Sequence, residues 1–137
     1  MNISEIMSTR VISASPNETV LNVAKLMSRH NIGAVPIADG GEVRGMVTDR
    51  DIVLRCVAVS KDPKTTKVSE IMSLEPKTIS PEQSVSEAYR LMSDEQVRRI
   101  PVVDNGKLTG FVSLADLTCT RCDAETASAI TEISRPG

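Results

Sequence analysis

Aromatic side chains are almost missing from this chain: Tyr89 and Phe111 are the only two in 137 residues, and there is no tryptophan. Platforms that stack the bases of single-stranded nucleic acid need such faces. A net charge of −2 supplies no basic footprint for a duplex either, so nucleic acid is excluded as a partner. Long hydrophobic runs are missing as well. No window approaches the ~18 to 20 apolar residues of a membrane span. The opening "MNISEIMSTR" has an early acid and no extended apolar stretch, so a signal peptide is not expected. Cysteine is scarce and odd in number, three in all, which argues against a secreted disulfide framework. These absences lead us to expect a soluble cytoplasmic protein with no membrane partner. Histidine occurs once, as His30, and no Ser-His-Asp set or phosphate-binding loop is visible, so an enzyme is not expected.

What the chain does have is repetition. Shifted by 65 positions, residues 3–52 fall on residues 68–117 without a gap, with 17 identities in the 50 pairs. Composition alone would give roughly three. "ISEIMS" meets "VSEIMS", "SPNETV" meets "SPEQSV", and "VPIADGGEVRGMVTDRDI" meets "IPVVDNGKLTGFVSLADL". The boundaries follow: a first repeat over 3–58, a linker over 59–67, a second repeat over 68–122 and a C-terminal helix and tail over 123–137, all within one module of 1–137. A solenoid needs three or more repeats, so two copies point to a pseudo-symmetric pair.

Each copy reads as strand, helix, strand, strand, helix. "VISA" (11–14) and "KTI" (77–79) are β-prone. Thr19 and Ser84 are N-cap candidates, and Ser84 with Glu87 forms a capping box. Val20, Val23, Ala24 and Met27, and again Val85, Ala88, Tyr89 and Met92, mark one helical face. Gly40-Gly41 and Asn105-Gly106 are two-residue hairpin turns. The fold class is therefore mixed α+β, two β-α-β-β-α repeats with small three-stranded sheets packed on helices. Ala127, Ile130 and Ile133 mark a last helix.

The stretch "GMVTDRDI" and its counterpart "GFVSLADL" have two readings. Thr48 with Asp51, and Ser113 with Asp116, have capping-box spacing, which is a purely structural role. They also carry the chemistry to hold a ribonucleotide. An ionised carboxylate accepts from both hydroxyls of a ribose diol, and a hydroxyl stands beside it. A glycine inside each strand, Gly45 or Gly110, marks close approach by a ligand or by another backbone. Each pair lies where a strand meets a helix N-terminus, an anion-binding arrangement. Arg98 and Arg99 offer cations for phosphate, and Arg50 is a third candidate.

The tandem pattern of proline-led apolar strand, turn and Gly-x-x-(Thr/Ser)-x-x-Asp resembles the CBS-domain pair, or Bateman module, over residues 3–117. That resemblance implies a regulatory module binding AMP, ADP or ATP in clefts between the copies, with S-adenosylmethionine or a nicotinamide dinucleotide as alternatives. An empty structural scaffold is a further alternative. The resemblance to the CBS-domain pair implies no required cofactor and no catalysis, a homodimer, and output through a separate effector protein. Thr48, Asp51, Ser113 and Asp116 match its ribose and phosphate positions and Arg98 a phosphate contact. Ser13, Thr78, Ala34, Val35, Arg99 and Ile100 match segments lining the adenine and phosphate region. The copies differ here, since Gly33-Ala34 stands where the second has Arg98-Arg99.

Two further features have plain explanations. Cys119-x-x-Cys122 offers only two ligands where a tetrahedral metal site needs four, so structural thiols are the simpler reading, with metal and redox roles behind it. His30 sits at the end of a helix, where a cation suits the dipole.

Overall fold

The computed structural model describes residues 1–118. The expected C-terminal helix, with Cys119 and Cys122, lies outside these residues. Two helices of equal length anchor the two repeats, α1 (Val20–His30) and α3 (Val85–Glu95). The Thr19 hydroxyl accepts from the Asn22 amide at 3.1 Å. At α3 the full box forms: Ser84 Oγ accepts from the Glu87 amide at 3.2 Å, and Glu87 Oε2 from the Ser84 amide at 2.8 Å. Both helices end on a left-handed residue, Asn31 (φ 52°) and Gln96 (φ 55°). The apolar stripe is buried at Val20, Val23 and Met27 and at Ala88 and Met92, but Tyr89 is 40% exposed. Its position flanks the packed face. The smaller Ala24 is half-buried at the equivalent site, whereas a tyrosine ring protrudes.

The hairpins are β1 (Ala34–Asp39) with β2 (Glu42–Thr48), and β4 (Arg99–Asp104) with β5 (Lys107–Ser113). Their turns take positive φ at both central residues, 59° and 86° at Gly40-Gly41 and 51° and 78° at Asn105-Gly106. That conformation matches the twist of the flanking strands. The same register shift occurs in each, between Ile37 and Ala38 and between Val102 and Val103.

The first strand of each repeat is shorter than expected. "VISA" contracts to a single parallel bridge, Ala14 to Ile37, and "KTI" to Ile79 with Val102. Ser-Pro follows each within two residues, and a proline has no N–H with which to extend a ladder. The third strand of the first sheet comes instead from β3 (Ser73–Leu74), which pairs with β2. The second sheet has two strands, β4 and β5, with an isolated bridge from Ser8 to Phe111 where a third strand would lie.

The pairing of β3 reveals how the chain is divided. One compact unit is Ile12–Pro76; the other joins Met1–Val11 to the described residues from Lys77 onward. Each unit is thus the body of one repeat completed by the opening segment of the other. Val68 and Ile71 belong to the core of the first-repeat unit, with Val23, Val35, Ile37 and Val47. Ile3 belongs to that of the second-repeat unit, with Ile79, Ile100, Val102 and Val112. The hydrogen bonds repeat in kind. The Ile3 amide donates to the Gln83 carbonyl and the Val68 amide to that of Glu18, both at 2.9 Å. Ser4 donates to Pro81 at 2.9 Å, and Ser69 to Pro16 at 3.2 Å.

Candidate ligand site

In each unit the hairpin delivers the predicted residues to one place. Ala34 is the strand partner of Thr48, and Arg99 that of Ser113. The Asp49 amide donates to the Gly33 carbonyl at 2.9 Å, and the Leu114 amide to that of Arg98 at 2.8 Å. These bonds tie the entry of the first hairpin strand to the start of the short helices α2 (Asp49–Ile52) and α4 (Leu114–Thr118). Ser13 and Thr78 immediately precede Ala14 and Ile79, whose amides donate to the Pro36 and Pro101 carbonyls at 3.1 Å each. The first-repeat unit therefore gathers Ser13, Ala34, Val35, Thr48, Arg50 and Asp51. The second gathers Thr78, Arg98, Arg99, Ile100, Ser113 and Asp116. Val35 and Ile100 are fully buried, backbone included, so they serve the core.

Both capping boxes form. Thr48 Oγ1 accepts from the Asp51 amide at 3.1 Å, and Asp51 Oδ2 from the Thr48 amide at 2.9 Å. The equivalent distances for Ser113 and Asp116 are 3.2 and 2.8 Å. Each box uses one carboxylate oxygen and leaves Oδ1 outside it. In the first unit Oδ1 faces Arg55 Nε at 3.8 Å, and Arg55 Nη1 donates to the Ile71 carbonyl at 3.3 Å. Arg55 was not singled out from the sequence, although its i,i+4 spacing from Asp51 is a readable pairing signal.

Two expectations change. The glycines face protein: a Cβ on Gly45 would lie 2.6 Å from Met72 Sδ and 2.8 Å from the Ser73 carbonyl oxygen. On Gly110 it would meet Met7 Sδ at 2.7 Å and the Ser8 carbonyl oxygen at 3.0 Å. Of the two readings of the strand glycine, close approach of another backbone is the one realised. The helix N-terminus of α2 is also no ready anion site. The helix has four residues, and its first three amides are taken by the Gly33 carbonyl, Asp49 Oδ1 (2.8 Å to Arg50 N) and Thr48 Oγ1.

A hollow of about 270 Å³ in the first-repeat unit is lined by Ser13, Ala14, Glu18, Asn22, Lys25, Leu26 and Arg29. It includes one predicted residue, Ser13, and neither Thr48 nor Asp51. Another of about 350 Å³, between Ser84, Tyr89 and Thr118 in the second-repeat unit, includes none. Among the described residues no three His, Cys, Asp or Glu side chains converge to hold a metal ion, and no helix is long and apolar enough to cross a membrane.

Comparison with known proteins places this arrangement. The CBS-domain family model matches residues 3–57 and again 68–119. CBS domain-containing protein YhcV of Bacillus subtilis is 43% identical over 134 residues, covering 97% of this chain and 95% of that one. Hypoxic response protein 1 of Mycobacterium tuberculosis is 36% identical over 114 residues, 82% of this chain and 80% of that one. A crystal structure of Hypoxic Response Protein I with two coordinated zinc ions superposes with a TM-score of 0.83 at 33% identity, covering 89% of this chain and all of that one. The CBS domain pair of protein MJ0100, in complex with 5′-methylthioadenosine and S-adenosyl-L-methionine, gives 0.78 at 28% identity, covering 87% and 98%. The chain belongs to the CBS-domain family and carries two CBS domains in tandem, the paired form of a regulatory, ligand-binding module.

Proposed function

We propose that the chain is a regulatory module that binds an adenosine nucleotide, of the AMP, ADP or ATP type, without chemistry of its own. The observation that carries this reading is the duplicated hydroxyl–carboxylate pair, held in place by its own capping box with one oxygen of each carboxylate outside the box, that of Asp51 facing Arg55. The structural and the ligand roles are compatible. An ionised carboxylate has about four lone-pair sites, the box takes one, and the two hydroxyls of a ribose take two more. In this reading Arg98 and Arg99 supply cations for phosphate. The adenosyl compounds held by the MJ0100 pair support the ligand class and favour S-adenosylmethionine as the second candidate. No cofactor is required in this reading, and the output passes to a separate effector protein in the cytoplasm.

Titration calorimetry with AMP, ADP, ATP and S-adenosylmethionine tests it against Asp51→Asn, Asp116→Asn and Glu87→Gln. The asparagines keep an acceptor for the box, and Glu87 belongs to a capping box away from these pairs. We expect binding to the parent, a loss of tenfold or more with at least one asparagine variant, and no change with Glu87→Gln. Silence across the panel would leave the empty scaffold as the better account.

The exposed side chains of Val53 (54%), Leu54 (47%) and Val57 (61%) supply a face for homodimerisation. Sedimentation velocity at micromolar concentration is expected to give a dimer, and Leu54→Glu a monomer.

A further inference from the structure

We infer that the two units prefer adenosyl ligands of different charge: the second-repeat unit one carrying phosphate, the first-repeat unit one carrying none. The inference rests on the adenosyl reading above and narrows it. Its basis is a comparison of positions that the backbone makes equivalent. The carbonyl–amide bond at the mouth of each hairpin joins Gly33 to Asp49 in one unit and Arg98 to Leu114 in the other. The adjoining strand pair is Ala34 with Thr48 in one and Arg99 with Ser113 in the other. So around the same hydroxyl–carboxylate pair the second-repeat unit carries Arg98, which is exposed, Arg99, and Leu114, which packs against the core. A glycine, an alanine and an aspartate occupy those places in the first. These three positions differ by three charges.

The cations the first-repeat unit does have stand elsewhere. Arg55 is engaged by Asp51 Oδ1 and by the Ile71 carbonyl, so its charge offsets that carboxylate. Arg50, opposite Ala115, returns one positive charge on an exposed side chain. Asp49 acts against an anion twice. It places a negative charge beside Asp51, and its Oδ1 occupies the Arg50 amide at 2.8 Å. Leu114 has no acceptor, so no such cap can form on Ala115. A phosphate entering the first-repeat unit finds the Asp49 carboxylate and no counterpart of Arg98, whereas one entering the second finds the exposed Arg98 guanidinium, which is suited to it.

The test uses adenosine and AMP as probes, by calorimetry at low and at near-physiological salt. We expect Asp51→Asn to weaken adenosine tenfold or more and to leave AMP unchanged. Asp116→Asn and Arg98→Ala should each weaken AMP tenfold or more and leave adenosine unchanged, with the AMP effect shrinking as salt rises. Asp49→Leu is the gain-of-function arm, which misfolding cannot imitate: AMP stoichiometry should rise from one to two per chain. Equal losses of both probes in both asparagine variants, or unchanged AMP affinity in Arg98→Ala, would overturn the charge assignment while leaving adenosyl binding standing. If neither probe binds, the adenosyl reading fails and the assignment falls with it.

Discussion

At the scale of single residues, glycine is where spacing and structure separate. Gly45 and Gly110 recur at the same offset before a hydroxyl and an acid, and that coincidence invites a ligand explanation. The side chains and carbonyls of Met72-Ser73 and Met7-Ser8 give another: a strand passes too close for a Cβ. Nothing local distinguishes the two, because the partner segment is at least 27 residues away in the chain. Gly45→Ala is expected to cost about 2–3 kcal/mol, within the usual range for overpacking. Gly110→Ala should cost less, since its backbone neighbour is 3.0 Å away against 2.8 Å. Urea midpoints of the two variants check the order. Adding Met72→Ala to Gly45→Ala should recover only part of the loss, because the Ser73 carbonyl cannot retreat as a thioether can.

At the scale of elements, local chemistry made most of the fold legible. Thr19 and Ser84 cap their helices as their spacing requires, and Asn105-Gly106 turns its hairpin. Thr19→Ala and Ser84→Ala are each expected to cost about 1 kcal/mol, a fall in Tm of several degrees readable by circular dichroism. The candidate site was legible to the same extent. Thr48, Asp51, Ser113 and Asp116 were visible as pairs, and the structure joins them as pairs. What escaped were features set by distant contacts: the shrinking of "VISA" to one bridge, the outward turn of Tyr89, and the π-helical turn Val53–Val57 that continues α2. In that turn the Ala58 amide donates to the Val53 carbonyl at 2.8 Å. The wider turn faces Cys56 into the core and Val53, Leu54 and Val57 outward. Hydrophobic periodicity at 3.6 residues cannot register a local change of pitch.

At the scale of the whole molecule, exchange of segments separates the sequence repeat from the structural unit. Periodicity along the chain found the duplication, but says nothing of which copy an opening segment joins. The consequence can be measured. Ile3 and Val68 are equivalent by sequence and both fully buried, yet in opposite units. Ile3→Ala should cost about 2–5 kcal/mol and raise amide hydrogen exchange mainly across α3, β4 and β5. Val68→Ala should do so mainly across α1, β1 and β2. Exchange that rises instead in the repeat directly following each mutated segment would contradict the division described.

The same arrangement imposes an order on a chain made from one end. The first hairpin and its helix leave the ribosome long before Ser73-Leu74, the edge they pair with. Residues 3–8 must wait longer still, until Phe111 has emerged. In vectorial synthesis, then, the stretch translated earliest is among the last to be seated: the unit Ile12–Pro76 is whole once its edge strand has emerged, while the opening segment stays without its partner until the second hairpin is made.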